Sequence, residues 1–359
     1  MSPRMYTYRW PVRTYLGIGL LGDLAKIVPP RGDRQRAMIV SADDDWCVPL
    51  NSRLRALLRA SGYQWVRVFA EVEPNPSWET AGRGAEICRE YGIDVVFAVG
   101  GGSVLDAAKV IAADASGVDL ITVPTTAGTG SELNEWAVMT EPESREKESV
   151  RAAMPSAAIL DPELTLSLPP KLTLLTGIDA FCHALECYVG TDSNAVSDCL
   201  ALTAMESVAN WLRRAVEYGD DLEARTAMLE ASMLAGGAML GAGLGLMHGL
   251  GNVAGGLTHD AHGLILASLL EAVLAFNESA IATAKLARIH HHLGAIRRLI
   301  GEKFQELNIP RVRLREDDLA LLAGRAYQNV NSRTNPRPFT LEDLMDLARQ
   351  SFQIVKELP

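Results

Sequence analysis

The stretch VVFAVGGGS, residues 95–103, decides the fold. Its first five residues are all apolar, which predicts a central strand of a parallel sheet, because such strands are covered on both faces. Three glycines at 100–102 and then Ser103 follow directly, and a helix-forming run continues to about Ala113. Glycines let a phosphate approach the backbone, and Ser103 can cap the helix beside the free N–H groups of its first turn. A plain tight turn explains a glycine run equally well, and the GxGxxG fingerprint is absent.

A second polar loop, PTTAGTGSE at residues 124–132, follows the next apolar run. Its hydroxyl-bearing residues include Thr125 and Thr126, which can donate hydrogen bonds to phosphate oxygens. Consecutive parallel strands end at the same edge of a sheet, which is where nucleotides bind in open α/β folds. The two loops together therefore predict a nucleotide-binding site.

Strands and helices alternate on both sides of these loops, as in an open α/β sheet. After Pro169 and Pro170 the pattern becomes helical, with no clear strand. We therefore expect an α/β dinucleotide-binding domain over residues 1–169 and an all-helical metal-binding, catalytic domain over residues 170–359. In the first domain the patterns predict strands near 15–19, 37–40, 65–69 and 120–123, and helices over 50–60 and 77–91, the second capped by Ser77.

The helical half contains polar residues in apolar surroundings. Asp179 and His183 stand four apart, so they share one face of a helix. Such a pair is usually structural, but its neighbours are apolar, and the uncharged run 231–247 leads directly into His248. Buried charged groups are costly unless they are paired or bind a metal. With His262, these residues predict an Asp/His site for one divalent cation, open on the substrate side.

A metal next to a nicotinamide indicates a simple reaction. The ion polarises an alcohol or carbonyl oxygen, and hydride passes between that carbon and the nicotinamide ring. The residues alone thus favour an oxidoreductase with a nucleotide-binding half and a metal-binding half.

Composition narrows the class further. With 359 residues the chain can form two full cores, and its formal net charge of −10 argues against a nucleic-acid partner. The five cysteines are an odd number without a CxxC pair, and no signal peptide is evident, so we expect reduced thiols in a cytoplasmic protein. The run 231–247 is the only candidate membrane span, and we interpret it as a buried core helix.

Several motifs, in order, resemble those of the iron-dependent (group III) alcohol dehydrogenases. They are GGGSVLDAAK at 100–109, PTTAGTGSE at 124–132, DPELTLSLP at 161–169, and GIDAFCHALE at 177–186. The similarity extends from about Tyr15 to Arg337, nearly the whole chain. It implies a Rossmann-like N-terminal domain and a helical C-terminal domain, in the architecture shared with dehydroquinate synthase.

The resemblance also implies cofactors and site residues. Fe²⁺, sometimes Zn²⁺, is expected on Asp179, His183, His248 and His262, and NAD or NADP on the other half. Lys147 lies in a charged stretch where composition alone favours a solvent-facing side chain, and only the resemblance assigns it to the cofactor site. The cofactor residues implied are Asn75, Gly101, Gly102, Ser103, Asp106, Thr125, Thr126 and Lys147.

Two departures from the family pattern matter. Asn252 replaces a histidine found in many members four residues after the third ligand, and an amide cannot relay protons near neutral pH. Ala42 stands where an acidic residue often selects NAD, with Asp43 next, so NAD and NADP both stay open. His259 is outside the ligand pattern, either as a hydrogen-bonding neighbour or as part of the active-site lining.

The leading hypothesis is a dehydrogenase or reductase for a small primary alcohol or aldehyde. An acidic aldehyde, such as a semialdehyde or a phosphonate aldehyde, is an alternative if arginines such as Arg151 face the substrate. A dehydroquinate-synthase-like lyase that uses NAD transiently is a second class, and a non-catalytic nucleotide-binding protein is a third. We expect a homodimer without a membrane or nucleic-acid partner.

Overall fold

The computed structural model describes residues 5–30, 32, 35–141, 143 and 146–356. These residues form two compact units. An α/β unit contains residues 11–126 and 130–168, and a helical unit contains residues 5–10, 127–129 and 169–356.

A six-stranded parallel sheet is the centre of the α/β unit. Its strand order is β1-β8-β5-β4-β2-β3. The strands are β1 (Arg13–Leu16), β2 (Arg36–Ala42), β3 (Trp65–Val72), β4 (Val95–Gly100), β5 (Asp119–Pro124) and β8 (Ala157–Leu160). The fold class predicted from the alternating pattern is confirmed.

Strand β4 explains why this sheet forms. Every residue of β4 is buried, and alternate side chains enter different cores. Val96 and Ala98 belong to one cluster, whereas Val95, Phe97 and Val99 belong to the other. A strand covered on both faces needs an uninterrupted apolar run, which is what residues 95–99 provide.

Short helices and one hairpin complete this unit. The hairpin pairs β6 (Trp136–Thr140) with β7 (Lys147–Arg151) in antiparallel register. The helices are α1 (Leu24–Ile27), α2 (Cys47–Ala60), α3 (Trp78–Tyr91) and α4 (Gly102–Ala115). The Ser77 side chain accepts a hydrogen bond from the Thr80 backbone N–H, so its predicted role as the α3 cap is confirmed.

The second unit is built from eight helices among the described residues. They are α5 (Pro170–Val189), α6 (Ala195–Glu217), α7 (Leu222–Ala242), α8 (Leu246–Thr258), α9 (His262–Asn277), α10 (Thr283–Glu306), α11 (Leu319–Gln328) and α12 (Leu341–Ser351). The expectation of no strand here is wrong, since β9 (Arg313–Arg315) pairs with β10 (Gln353–Val355). Strands of three residues are too short to show an alternating pattern.

The N-terminal segment joins the helical unit. The Tyr8 hydroxyl donates to the Gly237 carbonyl at 2.9 Å. A Cβ at position 237 would lie 2.4 Å from the Trp10 ring, so glycine is what allows the ring to pack on α7. The structure therefore assigns residues 5–10 to the helical unit, whereas the sequence division placed them in the α/β domain.

The uncharged run 231–247 is not one helix. Helices α7 and α8 meet at 109°, and Gly243 adopts φ 68° at the break. By length and composition two other helices could cross a membrane, Pro170–Val189 and the segment His262–Ala280, with 83% and 50% of their apolar windows buried in the protein. The prediction that run 231–247 is the only candidate membrane span is therefore wrong.

Candidate metal centre and nucleotide-binding loops

Helix α5 carries the first two predicted ligands. Asp179 is 3% exposed and His183 is 6% exposed, on a helix whose residues from Gly177 to Val189 are all buried. Charged and polar side chains at this depth require compensation from neighbouring groups. The apolar pattern of α5 therefore fixes where these two side chains lie.

The amino-terminal turns of α8 and α9 carry the other two. His248 is the third residue of α8, and His262 is the first residue of α9. The bend at Gly243 redirects the chain so that α8 starts beside α5. His248 is buried, whereas His262 is partly exposed, with 29% of its side chain accessible.

These side chains converge. The Asp179 Oδ1 atom lies 3.6 Å from His248 Nε2 and 3.8 Å from His262 Nε2. Potential ligand atoms of Asp179, His248 and His262 all lie within 4.8 Å of one another. His183 places Nδ1 at 3.3 Å from Asp179 Oδ1, and its ring stacks on His248 with a centroid separation of 4.1 Å.

Unsatisfied polar atoms mark the same point. Asp179 Oδ1, His183 Nδ1 and His248 Nε2 are buried and have no hydrogen-bond partner among the described residues. Buried polar atoms are nearly always satisfied, so three such atoms within a few ångströms need an explanation. A bound divalent cation would satisfy them, since an oxygen and nitrogen donor set suits iron or zinc.

The electrostatics favour metal-binding protonation states at Asp179 and His183, whereas a metal must displace a proton from His248. Burial alone raises the pKa of Asp179, but the three imidazoles outweigh it and hold that pKa well below its usual range. Burial lowers the pKa of His183 to about 4. Burial also acts to lower the pKa of His248, but the carboxylates of Asp179 and Glu186 raise it to about 9. The aspartate is thus charged and His183 neutral, as ligands must be.

The glycine-rich turn has the form expected of a phosphate site. Helix α4 begins at Gly102, with Gly101 at the N-cap position and no side-chain cap. The predicted cap by Ser103 is wrong, because Ser103 lies inside α4, and its Oγ accepts a hydrogen bond from Asn75 N at 3.3 Å instead. Without a side-chain cap, the first-turn N–H groups of α4 are suited to an anion.

Neighbouring loops approach this turn within the same unit. A Cβ at Gly101 would lie 3.2 Å from Thr126 Cγ2, and Thr125 N donates to the Gly100 carbonyl at 3.0 Å. Asn75 adopts φ 59°, a left-handed conformation that asparagine tolerates. The carboxyl-end loops of β3, β4 and β5 thus lie together, as the sequence predicts for the loops after β4 and β5.

Asp106 and Lys147 differ in their surroundings. Both Asp106 oxygens accept hydrogen bonds inside the protein, from Ser131 Oγ at 2.6 Å and Val138 N at 2.9 Å. Asp106 therefore holds β6 against α4, and a direct cofactor contact stays a prediction. Lys147 begins β7 and is half-buried, and burial lowers its pKa to about 8. Lys147 is therefore not the fully solvent-facing lysine that composition alone favours.

The remaining sequence candidates fall in different places. Asn252 is buried on α8, one turn after His248, whereas His259 is exposed at the end of α8 with φ 60°. Ala42 ends β2, and Asp43 after it is exposed. The Arg151 guanidinium lies 5.1 Å from the Trp136 ring centroid and 3.7 Å from Glu135.

Sequence reasoning assigned no role to Glu186. It accepts a hydrogen bond from His248 Nδ1 at 2.6 Å. The available signal was spacing, because Asp179, His183 and Glu186 follow an i, i+4, i+7 pattern that places all three on one helix face. The partner is 62 residues away, which spacing cannot reveal.

The fold and these sites define a class. It is a protein with a Rossmann-like α/β unit, an uncapped glycine-rich helix start, and a helical unit with a buried carboxylate–imidazole cluster. Comparison with known proteins identifies the family within that class.

The family model for iron-containing alcohol dehydrogenases matches residues 11–162, and that for the C-terminal part of the Fe-containing alcohol dehydrogenase family matches residues 173–352. The NAD-dependent methanol dehydrogenase of Bacillus methanolicus is 30% identical over 377 residues, covering 95% of this chain and 98% of that protein. The 1-propanol dehydrogenase PduQ of Salmonella typhimurium is 37% identical over 333 residues, covering 84% and 89%.

The crystal structure of an iron-containing alcohol dehydrogenase from Thermotoga maritima superposes with a TM-score of 0.87 at 28% identity, covering 97% of this chain and 99% of that one. The chain belongs to the iron-containing alcohol dehydrogenase family. It is therefore an oxidoreductase of the alcohol dehydrogenase type, as its motifs imply.

Proposed function

We propose that the protein is a metal-dependent, NAD(P)-linked alcohol dehydrogenase or aldehyde reductase acting on a small primary alcohol or aldehyde. The observation that carries this proposal is the convergence of ligand atoms from Asp179, His248 and His262 within 4.8 Å, in a chain of this family. In the oxidative direction the alcohol carbon gives hydride to the nicotinamide, and a proton is released as the aldehyde forms.

The proposed metal ligands are Asp179, His183, His248 and His262, and the proposed ion is Fe²⁺, with Zn²⁺ as the alternative. The unsatisfied buried atoms and the mixed O/N donor set support this assignment. The ion, when bound, acts as a Lewis acid on the substrate oxygen. The helices α5, α8 and α9 carry the four side chains that would hold the ion.

The proposed cofactor site uses the loops after β3, β4 and β5 and the start of β7. The uncapped α4 turn takes the pyrophosphate, and the half-buried Lys147 adds a cation beside it. The name of the methanol-oxidising relative supports NAD, and the small Ala42 leaves NADP possible. The proposed cofactor residues are Asn75, Gly101, Gly102, Ser103, Asp106, Thr125, Thr126 and Lys147.

Proton exchange does not use Asn252, because a carboxamide has no protonation equilibrium near neutral pH. Water or the ribose hydroxyls of the cofactor exchange the proton instead. The pH profile of turnover therefore lacks an ionisation from position 252.

A neutral substrate is favoured over an acidic aldehyde. Arg151, the arginine considered for binding an acid, already lies beside the Glu135 carboxylate and the Trp136 ring. A charge engaged in this way attracts a substrate carboxylate less strongly.

The test is a screen of aldehydes for oxidation of NADH and NADPH at 340 nm, with Fe²⁺ or Zn²⁺ supplied. Short primary aldehydes should be reduced with one of the two cofactors. In His262→Ala, metal retention and turnover should be lost while nucleotide binding persists, because the residue belongs to the helical unit and the cofactor loops to the α/β unit.

Full activity of His262→Ala in chelator would show that the site assignment is wrong. A wild-type protein that gives no net cofactor oxidation or reduction with any alcohol or aldehyde would favour the lyase that regenerates its NAD. Failure to bind any divalent metal at stoichiometric level would favour the non-catalytic nucleotide-binding alternative.

The proposed setting is a cytoplasmic homodimer without a membrane or nucleic-acid partner, with a domain boundary near Pro169. The buried polar side chains of Asp179 and His183 support placing α5 inside the protein and not in lipid. Light scattering of the purified protein tests the dimer.

A further inference from the structure

Glu186 lies on the face of α5 that carries Asp179 and His183. Its side chain is 3% exposed, and both of its oxygens accept hydrogen bonds from the start of α8. Met247 N donates to Oε1 at 2.6 Å. His248 donates to Oε2 from ring Nδ1 at 2.6 Å and from its backbone N at 3.4 Å. One carboxylate thus binds the backbone and the ring of a metal-ligand residue.

The hydrogen bond decides which ring nitrogen of His248 faces Asp179. A carboxylate only accepts hydrogen bonds, so Nδ1 must carry a proton. In the neutral ring, the lone pair is then on the other nitrogen, Nε2, which lies 3.6 Å from Asp179 Oδ1. Hydrogen bonds of this kind fix the tautomer and orientation of a histidine ligand and raise its basicity.

We propose that Glu186 is a positioning residue that holds His248 in the metal-binding tautomer and fixes the start of α8 relative to α5. This inference rests on the proposed metal-dependent function. Glu186 acts through His248, whose ring and backbone its carboxylate contacts. Its negative charge at the amino end of α8 is also favourable to the helix dipole.

The turn before α8 leaves space for this carboxylate. A Cβ at Gly245 would lie 2.7 Å from Glu186 Oε1. Gly245 has φ −143°, an extended conformation that any residue can adopt, so its backbone does not require glycine. The absence of a side chain at position 245 is therefore explained by the position of Glu186.

The decisive variant is Glu186→Gln, which keeps shape and removes one acceptor. Met247 N–H requires an oxygen opposite it, so the Gln amide N–H₂ faces His248 Nδ1 and donates to it. The proton of His248 then moves to Nε2, the nitrogen that should bind metal. We expect the variant to fold, with Zn²⁺ or Co²⁺ affinity reduced about 10–100-fold, as is usual when a residue that hydrogen-bonds a metal ligand is changed.

A spectroscopic readout separates positioning from a merely structural role. In the Zn²⁺-loaded wild type, the His248 Nδ1–H should give a downfield ¹H–¹⁵N cross-peak, identified by its absence in His248→Ala. The Glu186→Gln variant should lack that peak, while its circular dichroism spectrum should match that of the wild type. A Gln variant with wild-type metal affinity and an unchanged peak overturns the proposal.

Cys187→Ala is the matched control. Cys187 is the next residue of α5, and its Sγ donates to the Gly243 carbonyl at 3.2 Å, in the same turn before α8. Its thiol hydrogen bond goes to this carbonyl, whereas the His248 ring hydrogen bond goes to Glu186, so loss of the thiol should leave metal affinity unchanged. If Cys187→Ala weakens metal binding as much as Glu186→Gln, packing of the turn and not the carboxylate sets the affinity, and the proposal fails.

Gly245→Ala provides a second variant should Glu186→Gln not fold. It keeps the carboxylate but displaces it, and metal affinity should again fall by about 10-fold or more. Wild-type affinity in this variant contradicts the proposal. A wild-type protein that binds metal but converts no alcohol or aldehyde refutes only the proposed function, whereas one that binds no divalent metal refutes both.

Discussion

Two buried charges in the α/β unit differ in how they are satisfied. Lys109 Nζ donates to Ser131 Oγ at 2.5 Å and to the Trp136 carbonyl at 2.6 Å. The Glu132 side chain is also buried, but its Oε1 has no hydrogen-bond partner among the described residues. Burial raises the pKa of Glu132 to about 7. Ionised Glu132 therefore destabilises the fold.

The sign of the effect gives a prediction for Glu132→Gln. The unfolded carboxyl releases its proton near pH 4.5, whereas the folded one keeps it to about pH 7. The raised pKa of Glu132 contributes stability that is complete below pH 4.5 and is lost as the pH rises through 7. The free energy of unfolding of the variant relative to wild type should thus rise by about 1–3 kcal/mol between pH 5 and pH 8.

Urea denaturation at the two pH values measures this difference. Glu148→Gln, at an exposed position of β7, is the control and should show no such change. An equal effect of Glu132→Gln at both pH values would mean that the carboxyl is ionised throughout.

The sequence predicted the residues of the metal cluster better than it predicted the roles of the buried carboxylates outside it. Asp179 and His183 were found from helical spacing in an apolar context, and the structure brings them together with His248. The roles of Glu186 and Glu132 were not predicted, because each depends on distances between segments far apart in the chain. Spacing within one helix carries no information on such contacts.

At the scale of elements, α9 packs closely against α5. A Cβ at Gly263 would lie 2.0 Å from the Leu175 carbonyl oxygen. Backbone atoms on both sides form this contact, so neither can move without shifting a helix. Gly263 therefore sets how near His262, the preceding residue, comes to Asp179.

Gly263→Ala should push α9 away from α5. We expect a loss of about 1–3 kcal/mol in the free energy of unfolding, as for overpacked cores, and weaker metal retention. Gly301→Ala is the matched control, because its helical position has no atom within 4 Å of a new Cβ. That change should stabilise the protein by about 0.5–1 kcal/mol.

Thermal denaturation and metal content after dialysis measure both variants. A Gly263→Ala protein that is as stable as Gly301→Ala, with full metal retention, would contradict the close approach of the two helices.

Long apolar runs predicted strands and helices correctly, whereas short runs and runs interrupted by glycine did not. Strand β4 was predicted because six buried residues leave a clear pattern. Strands β9 and β10, with three residues each, leave none. The bend between α7 and α8 was not predicted either, because an apolar run indicates burial and not chain direction. Gly243 lies at this bend with a positive φ.

At the scale of the whole molecule, the two proposed ligand sets belong to different compact units. The proposed metal ligands lie on α5, α8 and α9 of the helical unit, and the proposed cofactor residues lie in the α/β unit. A ligand stabilises the unit that binds it in proportion to RT ln(1 + [L]/Kd). Metal and nucleotide should therefore stabilise different parts of the chain.

Chelation provides the last prediction. Removing the metal should increase hydrogen exchange in α5, α8 and α9, because it leaves a buried carboxylate next to unsatisfied imidazoles. Fe²⁺ without oxygen, or Zn²⁺, should restore protection, worth about 4 kcal/mol at a thousandfold excess over Kd. Adding NAD⁺ or NADP⁺ should instead protect the start of α4, and the more protective of the two identifies the cofactor. Chelation that leaves exchange in the three helices unchanged, or that first exposes α4, would contradict a metal held by the helical unit.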